Sequence, residues 1–243
     1  TPATPDDASQ SVDTSAEAAV SAAPEYHANA KAALLIDLNT GRTIYEQDAD
    51  VRVYPASLTK IMTCLLALEN GNLSDIVTID EGAFTGLDGN SSTAGLQVGE
   101  QLSFNDLLYC LMLSSGNEAA NAVAEHIAGS IPDFVRMMNE RAYELGCKDT
   151  HFNNPHGLHD ESHYTTARDL AIITQAALKS ENFRQIVDTY EYKLPDDNMR
   201  QNIPKLKTTN MLIYQSMSNS LYYPRAHGIK TGYTSQAGRC VIS

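Results

Sequence analysis

The chain predicts an α+β fold in which a helical region is inserted into an antiparallel sheet. Two observations predict it. Strand-like segments stand near both ends, at 33–45 and 230–243, and between them run stretches whose apolar residues recur with helical spacing. Apolar residues make up 42% of 243 positions, enough to fill a real core.

The elements follow in order. Residues 1–28 are rich in Ala, Ser, Thr and Pro, and 1–30 carry acidic residues without Lys or Arg. Such a stretch cannot bury enough surface to offset its ordering entropy, so we expect a disordered tether. Ala33–Asp37 and Arg42–Tyr45 flank Leu-Asn-Thr-Gly, a hairpin with Gly41 free to take positive φ. Leu58, Ile61, Met62, Leu65, Leu66 and Leu68 mark a helix closing at Asn70-Gly71. Ile76–Ile79 and Gly95–Val98 read as short strands. Ser103 and Asp106 form a capping-box-like start to a helix over Leu107–Leu113. Further helices are expected over Glu118–Ala128, stopped by Gly129, from Pro132 to about Gly146, and from Thr166 to about Ser180. Lys230–Thr234 and Arg239–Ser243 return to strand.

Charge and composition exclude some functions. A formal charge of −13 with no long basic run argues against binding nucleic-acid phosphates. No stretch of 18 apolar residues is present to span a bilayer, and the start lacks a basic segment followed by an apolar one. Cys64, Cys110, Cys147 and Cys240 are dispersed, and free thiols are the expected state. His151, His156, His159 and His163 invite a metal reading, but Asn153–Gly157 reads as loop, so no metal and no cofactor is expected.

The chemistry concentrates in three short segments. Ser57-Leu58-Thr59-Lys60 opens an apolar helix, and one turn brings Ser57 and Lys60 onto the same face. A serine hydroxyl is a poor nucleophile until a base takes its proton, and a desolvated lysine can be that base. Ser115-Gly116-Asn117 lies between two helical runs, and Lys230-Thr231-Gly232 lies near the end. Each alone has a plain structural reading: a capped helix with a solvated lysine, a turn between helices, an exposed strand. Their order and local context together point to an acyl-transfer site.

With these motifs the sequence resembles the serine D-alanyl-D-alanine carboxypeptidases, the low-molecular-mass penicillin-binding proteins of the β-lactamase/transpeptidase-like superfamily. The resemblance runs from about Ala33 to the end. It includes Pro55–Thr63, Leu113–Ala119, Asn154–Leu158, Tyr164–Leu170, Asn210–Leu212 and Gly228–Thr234. It implies that Ser57 forms the acyl-enzyme, Lys60 is its general base, and Ser115 relays a proton to the departing amine. It further implies that Asn117 holds the substrate amide and that Lys230 and Thr231 recognise a terminal carboxylate. Gly232 would let the strand approach the ligand, and the N–H groups of Ser57 and Tyr233 would form the oxyanion hole. Lys60 and Lys230 would lower each other's pKa.

The implied substrate is a peptidoglycan stem peptide ending in D-Ala-D-Ala, with β-lactams as inhibitors, in the extracytoplasmic cell envelope. A serine β-lactamase and a non-catalytic cell-wall-binding domain of the same fold are the alternatives. Gly116 stands where class A β-lactamases carry Asp, and no counterpart of their loop glutamate is found; both favour the peptidase. Residues 29–243 would form the catalytic domain. It is expected to be incomplete at its C-terminal strands, because Lys230–Thr234 needs more neighbours than Arg239–Ser243 supplies. Any membrane anchor would lie outside these residues.

Overall fold

The computed structural model describes residues 26–89, 91–215 and 218–243. Residues 1–25 of the expected tether lie outside the described residues. Its last residues rest on the first hairpin: the Ala28 amide donates to Tyr45 Oη and Gln47 Oε1, each at 3.1 Å. That hairpin pairs β1 (Ala33–Ile36) with β2 (Thr43–Gln47). Asp37 Oδ1 accepts from the amides of Asn39 and Thr40, and Gly41 has φ +71°, so the turn forms as its residues predict.

A 3-10 turn, Ala56–Thr59, runs directly into α1 (Lys60–Asn70). Gly71 ends α1 with φ −101°, not in the left-handed conformation that a helix-stopping glycine usually takes. Its small size is needed instead, because a Cβ there would lie 2.3 Å from the Phe104 ring. β3 (Ile76–Thr78) pairs with β4 (Gln101–Ser103), not with the strand expected at Gly95–Val98. Gly95 is left-handed, and the amides of Ala94 and Gly95 are taken by the Glu118 carboxylate, so that segment has no ladder to join.

Side-chain caps set the helix starts. Ser103 caps α2 (Phe104–Met112) by accepting from the Asp106 amide at 3.1 Å. α3 (Asn117–Ala128) stops at left-handed Gly129, and α4 (Ile131–Glu144) starts after Ser130. Thr166 caps α5 (Ala167–Ala177), which ends earlier than expected. Ser180 caps a separate helix, α6 (Glu181–Asp188), to which the sequence reading assigns no element. β5 (Glu191–Tyr192) pairs with β6 (Leu206–Lys207), and β7 (Lys230–Thr234) with β8 (Gly238–Ile242). Among the described residues the strands form four two-stranded antiparallel ladders, giving the α+β class. No helix of the described residues is long and apolar enough to cross a membrane.

α1 is the axis of the core. It packs against α2, α3, α4, α5 and α6, and every residue from Lys60 to Ala67 is buried. A helix enclosed on all sides cannot show a clean apolar stripe. Ile61 and Cys64 of α1 share the core cluster with Leu107, Leu111, Val123, Phe134 and Phe183. Each fully buried side chain of this size contributes about 1.5–3 kcal/mol. The consequence is local: the 3-10 turn carrying Ser57 is fixed to a helix that packs against five others. All four cysteines are free thiols, and burial pushes those of Cys64 and Cys110 well above their ordinary range.

Candidate active site

Ser57 sits inside the 3-10 turn rather than at the first residue of α1. Three residues per turn eclipse positions i and i+3, which sets the Ser57 hydroxyl over Lys60. Ala56, just before it, is held at φ +48°, a left-handed conformation that is strained for alanine.

Lys60 is 0% exposed, and its Nζ makes three hydrogen bonds: to Asn117 Oδ1 at 2.7 Å, to the His156 carbonyl at 2.7 Å and to Ser57 Oγ at 3.2 Å. Burial first, and the Lys230 ammonium second, hold its pKa well below 10.5, while Glu118 opposes them. The partner set fixes what the neutral amine does. Asn117 Oδ1 and the His156 carbonyl only accept, so they take its two N–H groups. The remaining lone pair then faces the Ser57 hydroxyl, the one partner able to donate a proton.

The 155–157 segment supports this arrangement through its backbone. Gly157 has φ +93°, and a Cβ there would lie 1.9 Å from the Ala56 carbonyl oxygen. Thr63 Oγ1 donates to the Pro155 carbonyl at 2.6 Å, and Thr59 Oγ1 to the Ala56 carbonyl at 2.8 Å. His163 Nδ1 accepts from the Asn153 amide, so the neutral ring carries its proton on Nε2 and donates to Thr59 Oγ1 at 2.8 Å. Burial keeps both histidines neutral, with pKa values of about 3 for His156 and about 4 for His163.

Ser115 is held at φ +58° between α2 and α3, and its Oγ is buried with no hydrogen-bond partner among the described residues. It is not joined to Ser57 or Lys60 by a hydrogen bond. Asn117 is engaged with Lys60 through Oδ1, which leaves its Nδ2 to donate elsewhere.

The opposite wall is β7. A Cβ on Gly232 would lie 3.0 Å from Ser57 N and 3.1 Å from Ala56 Cβ, so the strand comes this close only without a side chain. Thr231 Oγ1 shares a 2.6 Å hydrogen bond with Thr209 Oγ1. Lys230 is 1% exposed, and its one hydrogen bond among the described residues is to the Thr231 carbonyl at 2.9 Å. Burial lowers its pKa to about 7. The Tyr233 side chain points to solvent, so any part it takes is through its backbone.

The structure thus joins Ser57, Lys60 and Asn117 directly and sets Gly232 against the Ser57 amide. It also brings in groups that sequence reasoning missed: the His156 carbonyl, Gly157, Thr59, Thr63, His163, Thr209 and Glu118. The Asn-Pro-His-Gly run was the available signal for the first two, since a glycine after such a turn marks close backbone approach. The four neighbouring histidines are separately engaged. His151 Nδ1 lies 2.7 Å from the Ser162 carbonyl, and His159 packs edge-on against Tyr54.

A family model described as D-alanyl-D-alanine carboxypeptidase matches residues 16–243. The chain is 41% identical over 222 residues to the D-alanyl-D-alanine carboxypeptidase DacF of Bacillus subtilis, covering 88% of this chain and 53% of the relative. It is 36% identical over 225 residues to DacA of Escherichia coli, covering 88% and 52%. The chain therefore spans about half the length of these curated relatives. Among solved structures, a Streptomyces DD-transpeptidase superposes with a TM-score of 0.76 at 34% identity, covering 86% of this chain and 82% of that one. A D-alanyl-D-alanine carboxypeptidase from Mycobacterium tuberculosis gives 0.78 at 32% identity, covering 90% and 79%.

Proposed function

The chain belongs to the D-alanyl-D-alanine carboxypeptidase family, and from that premise we propose that residues 29–243 carry a serine D,D-carboxypeptidase site acting on peptidoglycan stem peptides in the cell envelope. The observation that carries this reading is the hydrogen-bond set of Lys60, which directs the lone pair of a desolvated amine at Ser57 Oγ.

Acylation follows from the residues present. As Ser57 Oγ attacks the carbonyl carbon of the penultimate D-alanine, its proton passes to Lys60. The amides of Ser57 and Tyr233 receive the negative charge that develops on the carbonyl oxygen; one such donor typically stabilises the transition state by about 2.7–4 kcal/mol. The C–N bond breaks, and the terminal D-alanine leaves as its amine once the Ser115 hydroxyl relays a proton to the nitrogen. Lys230 and Thr231 hold the terminal carboxylate, and Asn117 Nδ2 donates to the peptide. Water then hydrolyses the Ser57 ester. A β-lactam enters the same path, but its leaving nitrogen stays tethered.

Intact-mass analysis tests the reading. Penicillin should add one drug mass to the protein, and Ser57→Ala should abolish the adduct while the protein stays folded. A D-Ala-D-Ala peptide should lose its terminal D-alanine. Penicillin released rapidly in hydrolysed form would favour a β-lactamase, and an adduct on another serine would overturn the assignment.

A further inference from the structure

The motif turn is backed by a loop, 92–96, that contains none of the motif residues. The Asn117 amide donates to the Ser92 carbonyl at 2.9 Å. A Cβ on Gly116 would lie 3.2 Å from both the amide nitrogen and the Cβ of Ala94, so loop and turn touch through bare backbone. One carboxylate holds this loop. Glu118 is 1% exposed, and its Oε1 accepts from the Thr93 hydroxyl at 2.7 Å, the Ala94 amide at 2.6 Å and the Gly95 amide at 3.1 Å. Its Oε2 is buried with no hydrogen-bond partner among the described residues. A neutral acceptor would gather the same amides without leaving a buried charge half-solvated, so the charge itself calls for an explanation.

We propose that Glu118 is a positioning residue for acylation, clamping loop 92–96 onto the Ser115–Asn117 turn and supplying the buried negative charge that balances the Lys60 ammonium. This rests on the reading of Ser57 as the acylated nucleophile. The titratable and charged groups around this corner are Lys230 from β7, His156 and His163 from the 155–163 segment, Cys110 and Asp106 from α2, Glu118 from α3, and Arg200, which pairs with Glu100 and donates to the Gly95 carbonyl at 2.8 Å. The histidines and the thiol are neutral, Glu100 is paired with Arg200 and Asp106 with the Tyr192 hydroxyl, and Glu118 is the anion that acts on Lys60. Its field favours the protonated form of Lys60, against burial and Lys230. Lys60 must release its proton to act as a base and hold it after Ser57 is acylated; the Glu118 charge sets that balance.

Glu118→Gln keeps the shape and loses the charge, while Glu118→Ala loses both. Amide exchange, read without substrate, should accelerate at Ala94 and Gly95 in Glu118→Ala. Labelling with a fluorescent penicillin should slow on the order of 10²-fold in Glu118→Ala, as for a displaced catalytic group. In Glu118→Gln the acid limb of the labelling rate should move to lower pH, because Lys60 loses the anion that keeps its proton; a purely structural role would not move it. If Glu118→Ala does not fold, Glu118→Gln carries the test. No labelling of the wild-type protein would overturn the acylation reading and this inference with it. A labelled wild type whose variants keep its exchange rates and pH limb would overturn this inference alone.

Discussion

Lys60 and Lys230 are both fully buried, 0% and 1% exposed, yet the molecule holds them in opposite ways. Lys60 is tied to three partners contributed by three segments, the 3-10 turn, α3 and the 155–157 loop. Lys230 bonds to the carbonyl of its own neighbour. The first lies in the packed helical core, while the second lies on a two-stranded ladder with Tyr233 and Val241 exposed on it. An ammonium has three donors, so a buried one with a single acceptor is electrostatically incomplete. The difference separates two tasks. The helical side is assembled before any ligand arrives, as the general base proposed above requires; the strand side leaves donors free for the carboxylate proposed to bind there.

The largest expected effect tests the assembled side. Lys60→Met keeps a long apolar stem and removes the base. Acylation by penicillin should fall about 10²–10⁴-fold, the usual contribution of a positioned base. Stopped-flow labelling beside a thermal melt separates this from unfolding. A folded variant labelled within tenfold of the wild-type rate would mean that another group takes the Ser57 proton.

A second test breaks the support of Lys60 rather than Lys60 itself. Gly157→Ala forces a methyl group within 1.9 Å of the Ala56 carbonyl at φ +93°. The 3-10 turn or the His156 carbonyl must then move, at a cost above the roughly 1–3 kcal/mol of backbone strain alone. Gly238→Ala, at the first residue of β8 with φ +72° and nothing within 4 Å of the new Cβ, should bear only the backbone term, about 1–2 kcal/mol. Chemical denaturation of both variants reads the contrast. Equal losses would show that the 155–157 segment yields more easily than its packing implies.

What was legible in the sequence was local. Ser103 with Asp106, and Thr166 with Asp169, announce helix starts because a cap is made by residues three apart. Ser57 and Lys60 could be paired because a single turn of either helix type brings i and i+3 together. Ser180 followed by Glu181 carried the start of α6, but Ser180 reads as the end of the preceding helix, and the sequence reading assigns no element directly after it. Gly95–Val98 alternates like a strand, and nothing nearby reveals that Glu118 takes its amides. The His156 carbonyl was illegible for a different reason: any residue supplies a carbonyl, so only Gly157 could hint that this one is brought to Lys60. The motifs pointed to side chains that the fold brings together, and the distant backbone that orients them appeared only with the fold.

The smallest expected effect reads the incomplete side through stability. Burial holds Lys230 at about 7 in the folded chain, against an ordinary value of 10.5. Between these values the unfolded chain binds a proton that the folded chain does not, so stability rises with pH. Lys60, also lowered from 10.5, adds in the same direction. Each lysine contributes at most about 1.4 kcal/mol per pH unit, roughly 3–6 °C in Tm for a chain of this size. Above pH 9.0 the trend turns, because Cys64, Cys110, Cys147 and Cys240 all stay protonated when folded and ionise when unfolded, which outweighs the two lysines. The window is therefore pH 7 to 9. Thermal melts at pH 7, 8 and 9 should climb for the wild type and climb less for Lys230→Met. A carboxylate ligand beside Lys230 raises its pKa and should flatten the wild-type slope toward that of the variant. If Lys230→Met keeps the full slope, Lys230 is not the desolvated cation described above, and the contrast between the two lysines fails.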